Sequence, residues 1–453
     1  MDHPQSQQQP FCRVQAPVRP TKERSAPLGL AKPVPAPPGS MAATTAGGAA
    51  SVPSTLDLDT YLSNYTGVTR IKRLAFIASV SPTHRADALR MAVSEVKRTT
   101  NTGLLHELVS LSGAGDEAIP RDDAWIEQVD RKASQKLDKL EADLNNHKTS
   151  LVKESIRVRA ARLSVRHPRG AHWCAPRGVP VCPLARSLQM GHNDLGDFHY
   201  DRGDFNTALK CYVRTRDYCT TSKHIITMCV NVIRASIQMG NFTHVANYIT
   251  KAESNPDASA DPALLSQLRI ASGLAQLESK KYKLAARKFL EVSAEHGSGY
   301  TEVASAQDIA LYGGLCALAS FDRAELRTKV IESSSFRAFL ELYPHVREAV
   351  HDFFHSRYAS CLASLEKLKP DILLDIHLHD HVQQLYADVR SKALVQYFSP
   401  FVTVDMRLMV RAALEPPRRL LHSPLADAAR GNRADVCLDR GGPCVCDVAG
   451  IRL

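Results

Sequence analysis

The chain has 453 residues, enough for two or three ordinary domains or for one extended repeat array. Its formal net charge of +10 sits outside the patterned part: residues 1–54, 158–189 and 407–453 carry +3, +6 and +3, which leaves −2 on the remainder. A near-neutral core argues against a DNA or RNA partner, eleven cysteines without paired spacing fit a reducing compartment, and no apolar run reaches the roughly eighteen residues of a membrane span.

Residues 1–54 are rich in Pro, Gln, Ala, Gly and Ser, a composition that cannot bury enough apolar area to offset its ordering entropy, and they read as a disordered tail. Helical periodicity begins at Leu56 and defines an N-terminal helical region over 55–157, interrupted at Ser81-Pro82 and again from Gly113 to Pro120. A long charged helix follows. Its apolar positions Ile126, Val129, Ala133, Leu137, Leu140, Leu144 and Leu151 form one narrow stripe suited to a neighbouring helix. Residues 158–189 hold six Arg and no Lys, Asp or Glu, and Pro168, Pro176, Pro180 and Pro183 rule out a continuous helix, so the segment reads as an inserted loop.

From residue 190 the sequence repeats. An aromatic stands at Phe205, Phe242, Tyr282, Phe321 and Tyr358, at spacings of 37, 40, 39 and 37 residues. Three positions after each comes a small or slender residue: Ala208, Val245, Ala285, Ala324 or Cys361. Gly203-Asp204 and Gly240-Asn241 open the first two turns, where a positive φ and an N-cap are easily accommodated. Each unit is therefore helix, turn, helix, with the aromatic wedged between the two helices. One such pair cannot bury both faces, so the fold class is an all-α, TPR-like solenoid of stacked pairs. The repeats occupy 190–300 and a further helical region 301–406; residues 407–453 lack periodicity and read as a second disordered tail.

Several longer phrases are more specific. Gly191-His192-Asn193-Asp194-Leu195-Gly196-Asp197, Leu311-Tyr312-Gly313-Gly314-Leu315-Cys316-Ala317-Leu318, Ser356-Arg357-Tyr358-Ala359-Ser360-Cys361-Leu362 and Gln396-Tyr397-Phe398-Ser399-Pro400-Phe401-Val402 resemble the largest PCI-type subunit family of the COP signalosome, subunit 1. Leu373-Leu374-Asp375-Ile376-His377-Leu378-His379-Asp380-His381 resembles its plant form, and the resemblance covers roughly 56–157 and 190–406. It implies that 301–406 is the helical part of a PCI domain. After Met406 the family pattern calls for a winged helix, which this sequence lacks. The resemblance further implies a non-catalytic scaffold in cytoplasm and nucleus. Its partners would be the other signalosome subunits and, indirectly, cullin-RING ubiquitin ligases, and its role removal of a ubiquitin-like modifier from cullins and, in plants, light-dependent development. The alternatives are the matching proteasome-lid subunit and a PCI adaptor that binds nucleic acid in translation.

No catalytic, cofactor or metal site is assigned. His377 and His379 open a His-x-His pattern, but Ala387 and Arg390 stand where a metalloprotease of this kind needs Ser and Asp. His377 and His381 lie four apart without a third ligand and read as a solvated helix face. Cys437, Cys444 and Cys446 lack a Cys-x-x-Cys pair, as do Cys174 and Cys182 near His167 and His172. Gly313-Gly314, inside an apolar helical run, reads as a close-packing site.

Overall fold

The computed structural model describes residues 56–112, 120–164, 183–297 and 299–399, with the backbone path alone for 154–164, 183–184 and 259. Every regular element among these residues is helical. None is long and apolar enough to cross a membrane.

Four short helices come first: α1 (Leu58–Ser63), α2 (Gly67–Val80), α3 (Arg85–Val96) and α4 (Thr102–Ser112). Asp57 caps α1 by accepting from the Asp59 N–H. Leu62, Leu74, Ile77, Leu89, Val96 and Leu105 bury their side chains in a local core that also takes in Leu374, from near the other end of the described chain. The 42-residue α5 (Asp123–Ser164) starts against α4. It then lies along α6 (Pro183–Asp201), where Leu144 packs with Leu188 and Leu195 and is flanked by Leu137, Leu140 and Leu151. The sequence stripe is therefore the contact line.

Helical backbone enters both ends of the 158–189 segment, which corrects its reading as a loop throughout: α5 reaches Ser164 and α6 begins at Pro183. Pro183 takes the first helical position, where its missing N–H would have no intrahelical partner in any case. Residues 165–182 lie outside the described residues, as do Pro168, Pro176 and Pro180, the tails 1–54 and 407–453, the expected absence of a winged helix and the cysteines of both zinc-like groups.

Three helix pairs stack next: α6 with α7 (Phe205–Arg214), α8 (Ser222–Gln238) with α9 (Phe242–Glu253), and α10 (Pro262–Glu278) with α11 (Tyr282–Leu290). The short α12 (Ala294–Gly297) leads to α13 (Ala306–Ser320), α14 (Arg323–Leu326) with a π-helical turn to Ile331, α15 (Ser334–Glu341), α16 (Pro344–Phe354), α17 (Tyr358–Ile372) and α18 (Val382–Phe398). Helix α13 is buried on all sides, packed on α11, α15, α16 and α18. Each fully buried Ile or Leu there contributes roughly 1.5–3 kcal/mol relative to exposure. One hydrophobic core runs from Tyr200 to Ala393 and joins the 190–300 repeats to the region beyond 301.

Close packing is built from glycine and aromatic partners. A Cβ on Gly196 would lie 2.5 Å from the Tyr212 ring, and one on Gly273 would lie 2.6 Å from the Phe289 ring. Both glycines stand nine residues before a turn aromatic and both rings seven after it, so this contact is itself a repeat feature. Gly314 is in the same situation against Val346, at 2.5 Å.

Candidate functional site

The helix-pair turns are built by one backbone device. Gly203, Gly240, Lys280 and Ser356 all adopt positive φ, at 82°, 70°, 59° and 61°. At each, the next residue's N–H reaches back five positions: Asp204 to the His199 carbonyl (2.9 Å), Asn241 to Ser236 (3.0 Å), Lys281 to Gln276 (2.9 Å) and Arg357 to Asp352 (2.8 Å). This is the Schellman closure, and the same residue is already the N-cap of the following helix. Asp204 and Asn241 complete the cap by accepting from the Thr207 and His244 N–H groups; Lys281 and Arg357 make no such bond. A non-glycine residue in the left-handed region costs roughly 1–2 kcal/mol and a lost N-cap about 1 kcal/mol, so the third and fourth of these turns are locally weaker.

Phe321 departs from the series. It and Asp322 are extended, α14 starts only at Arg323, and Ala324 is exposed while Leu326 is buried. Without a left-handed residue the connection shifts the helical register, so Phe321 fills the core in place of opening a helix. Ala208, Val245, Ala285 and Cys361 are fully buried. Phe205 and Tyr358 meet Tyr200 and Phe353 across their own turns, with ring centroids 5.4 and 5.3 Å apart. Phe242 and Tyr282 instead face His377 and His381 edge-on, at 6.3 and 6.0 Å.

The segment they face is not a helix. Residues 373–381 form consecutive turns between α17 and α18, which corrects the solvated-helix reading: His381 is buried, and its Nε2 lies 3.5 Å from Glu278. Beside this segment α2 lies against the same ridge. Lys72 places its ammonium 4.7 Å from the Phe205 ring centre and donates to the Gln238 carbonyl, and Gln238 donates to Thr69 at 2.8 Å.

Where these elements meet, Arg73 is enclosed with no exposed surface. Its Nη1 donates to Asp375 Oδ2 at 2.6 Å and to the Tyr61 hydroxyl; its Nη2 donates to Asp308 Oδ2 at 3.0 Å and to the Tyr312 hydroxyl at 3.1 Å. The Tyr65 ring lies 4.1 Å from the guanidinium. Asp308 also accepts from the Tyr65 hydroxyl (2.6 Å) and from the Ser305 N–H (2.9 Å) in the capping box of α13. Asp375 accepts from Tyr312 (2.8 Å) and from the N–H groups of His377 and Leu378 (2.9 and 3.0 Å). One cation of α2 thus ties together two segments that lie 235 and 302 residues further along the chain.

These contacts and turns run through a sequence that is 52% identical, over 361 residues, to COP9 signalosome complex subunit 1 of Arabidopsis thaliana, covering 79% of this chain and 74% of that protein. The chain belongs to the COP9 signalosome subunit 1 family. Subunit 1b of Drosophila melanogaster is 36% identical over 412 residues, covering 79% of this chain and 72% of its own. The family model described as 26S proteasome subunit RPN7 matches residues 184–329. The 26S proteasome non-ATPase regulatory subunit 6 of Oryza sativa is 25% identical over 187 residues, 40% of this chain.

In this family member the buried hub locks α2 to α13 and to the 373–381 turns. Burial alone would raise the Asp375 carboxyl, but the Arg73 charge, the neighbouring His377 and the donated hydrogen bonds hold it below the usual carboxylate range. Burial, reinforced by the Asp375 charge, pushes Asp308 upward against the pull of Arg73. Burial also keeps the Tyr65 and Tyr312 hydroxyls protonated as donors. Each carboxylate is thus saturated from within the chain. Among the described residues no three His, Cys, Asp or Glu side chains gather as a metal ion requires.

The hub was not singled out from sequence, although one signal pointed to it. Arg73 occupies the apolar stripe of α2, with Leu74, Ile77 and Ala78, where a charge demands a buried partner. Asp308 likewise opens a helix that is otherwise apolar all round.

Proposed function

We propose that this chain is a non-catalytic scaffold subunit of the COP9 signalosome. It supports removal of the ubiquitin-like modifier from cullins and so regulates cullin-RING ubiquitin ligases, in both cytoplasm and nucleus. The observation that carries this reading is 52% identity, over 79% of the chain, to a protein named as a subunit of that complex. The physical form agrees with the role: a stacked helical array has extended surfaces, and the buried Arg73, Tyr312 and Asp375 are engaged with one another.

The test is complementation. The tagged chain is expressed in Arabidopsis lacking its own subunit 1; the fraction of cullin carrying the modifier is read by immunoblot and the co-purifying subunits by mass spectrometry. The expected result is recovery of the signalosome subunits and a fall in modified cullin. The match of residues 184–329 to a proteasome-lid family favours one other outcome, recovery of lid subunits. That result, or modified cullin left at the mutant level, would overturn the proposal.

A further inference from the structure

The third repeat turn breaks the pattern of the first two. Where they place Gly203-Asp204 and Gly240-Asn241, it has Lys280 in the left-handed conformation and Lys281 at an N-cap that makes no side-chain bond. The fourth turn departs in the same way, but its residues are engaged: Ser356 accepts from Arg323 at 3.0 Å, and Arg357 pairs with Asp352 at 2.8 Å. Neither Lys280 nor Lys281 makes a side-chain hydrogen bond or ion pair with any described residue. A sequence that gives up glycine and a capping side chain without gain inside the fold keeps the two lysines for something outside it.

The surroundings say what that is. Lys281, Leu284 and Lys288 follow at three and four residues, on one side of α11, and Leu284 is 44% exposed although it lies in the middle of a helix. Behind them Glu325 is shared by Lys283 at 2.8 Å, Arg287 at 3.2 Å and Lys329 at 3.4 Å, so one carboxylate faces three cations. Residues 280–288 hold five bases and no acid, in a part of the chain whose balance is otherwise near neutral. An exposed aliphatic side chain ringed by unpaired lysines fits a chain of opposite charge that brings one apolar side chain of its own.

We propose that the face of α11 carrying Lys280, Lys281, Leu284 and Lys288 is a docking surface for an acidic segment of a partner protein, which seats an apolar residue on Leu284. The inference concerns this chain's own surface and holds whichever complex the chain joins.

The test measures fluorescence anisotropy of the full chain with a labelled Glu-rich peptide containing two leucines, the same peptide with both leucines changed to Ser, and a 12-nucleotide single-stranded RNA. Binding of the leucine peptide should weaken as salt rises. Lys281→Glu with Lys288→Glu should weaken it about tenfold or more through charge reversal, and Leu284→Ser about fivefold through lost apolar contact. Lys280→Gly with Lys281→Asp installs the pair seen at 203–204, so it should raise the melting temperature and weaken the peptide together. The proposal is overturned if the peptide does not bind at low salt or if the charge reversals leave its affinity unchanged. It is equally overturned if RNA binds as tightly with no dependence on Leu284, or if the Gly-Asp variant melts higher yet binds as before.

Discussion

Replacing Arg73 by Met tests the hub most directly, because Met keeps the apolar stem and removes only the guanidinium. Four donated hydrogen bonds go, to Tyr61, Asp308, Tyr312 and Asp375, and two buried carboxylates are left without their cation. Breaking a buried pair from one side costs about 3–5 kcal/mol, a large share of the roughly 5–15 kcal/mol that holds a typical domain folded. Urea unfolding read by circular dichroism should show this loss at pH 7.5. Hydrogen exchange should rise first in 66–80 and 373–381, the segments that Arg73 joins. The loss should shrink on acidification. In the wild type the stability from Asp375, whose carboxyl is held low, is present above the ordinary carboxylate pKa and lost as pH falls through its folded value. In the variant both carboxyls are raised by burial, so their penalty is greatest at neutral pH and relieved as they protonate. Adding Asp308→Asn and Asp375→Asn removes the stranded charges and should recover about half of the loss or more. A cost below about 1 kcal/mol for Arg73→Met, or a triple variant no more stable than the single one, would refute the account of the hub as a charge-balanced lock.

Three further outcomes follow from the geometry. Gly203→Ala should destabilise more than Gly240→Ala in thermal melts: both lose the glycine preference at positive φ, but at 203 the new Cβ lies 2.3 Å from the Asn101 side chain, whereas at 240 nothing lies within 4 Å. Gly273→Ala should cost about 1–3 kcal/mol by crowding the Phe289 ring, and in a double-mutant cycle Phe289→Leu should relieve it. His377, driven down to about 4 by burial and then by the Arg73 charge, binds its proton more readily in the unfolded chain. Stability should therefore be full above about pH 6.5 and fall toward pH 4, and His377→Asn should remove that part of the slope in urea midpoints taken across the range.

How much of this could be read in the sequence depended on range. The turns were legible because their determinants are local: Gly203 and Gly240 supply the left-handed residue, Asp204 and Asn241 the cap, and the aromatic follows at a fixed distance. Lys280 and Ser356 adopt the same conformation without the residue that advertises it, so only the aromatic spacing revealed those turns. That same spacing misled at Phe321, where two extended residues replace the closure. The stripe of α5 was legible since one helix face needs only its own periodicity. The hub was not, because Arg73, Asp308 and Asp375 become neighbours only after the array curls and brings the 373–381 turns back to α2. The histidines followed suit: spacing of four suggested a helix face, but Asp375 captures the next two N–H groups and holds the segment in turns.

The separation of Arg73 from Asp375 has a consequence for biogenesis. The two lie 302 residues apart. At roughly 5–20 residues per second, the ribosome needs on the order of 15–60 s to produce the second after the first. Asp308, 235 residues after Arg73, is made earlier, but through the whole of that interval α2 lacks Asp375 and the 373–381 turns. The N-terminal helices therefore wait, with Leu74 and Ile77 lacking the Leu374 that completes their core, and are open to chaperone capture until the far end of the array arrives. A nascent chain halted before residue 375 would lose the native seating of its first helices as well as its last ones.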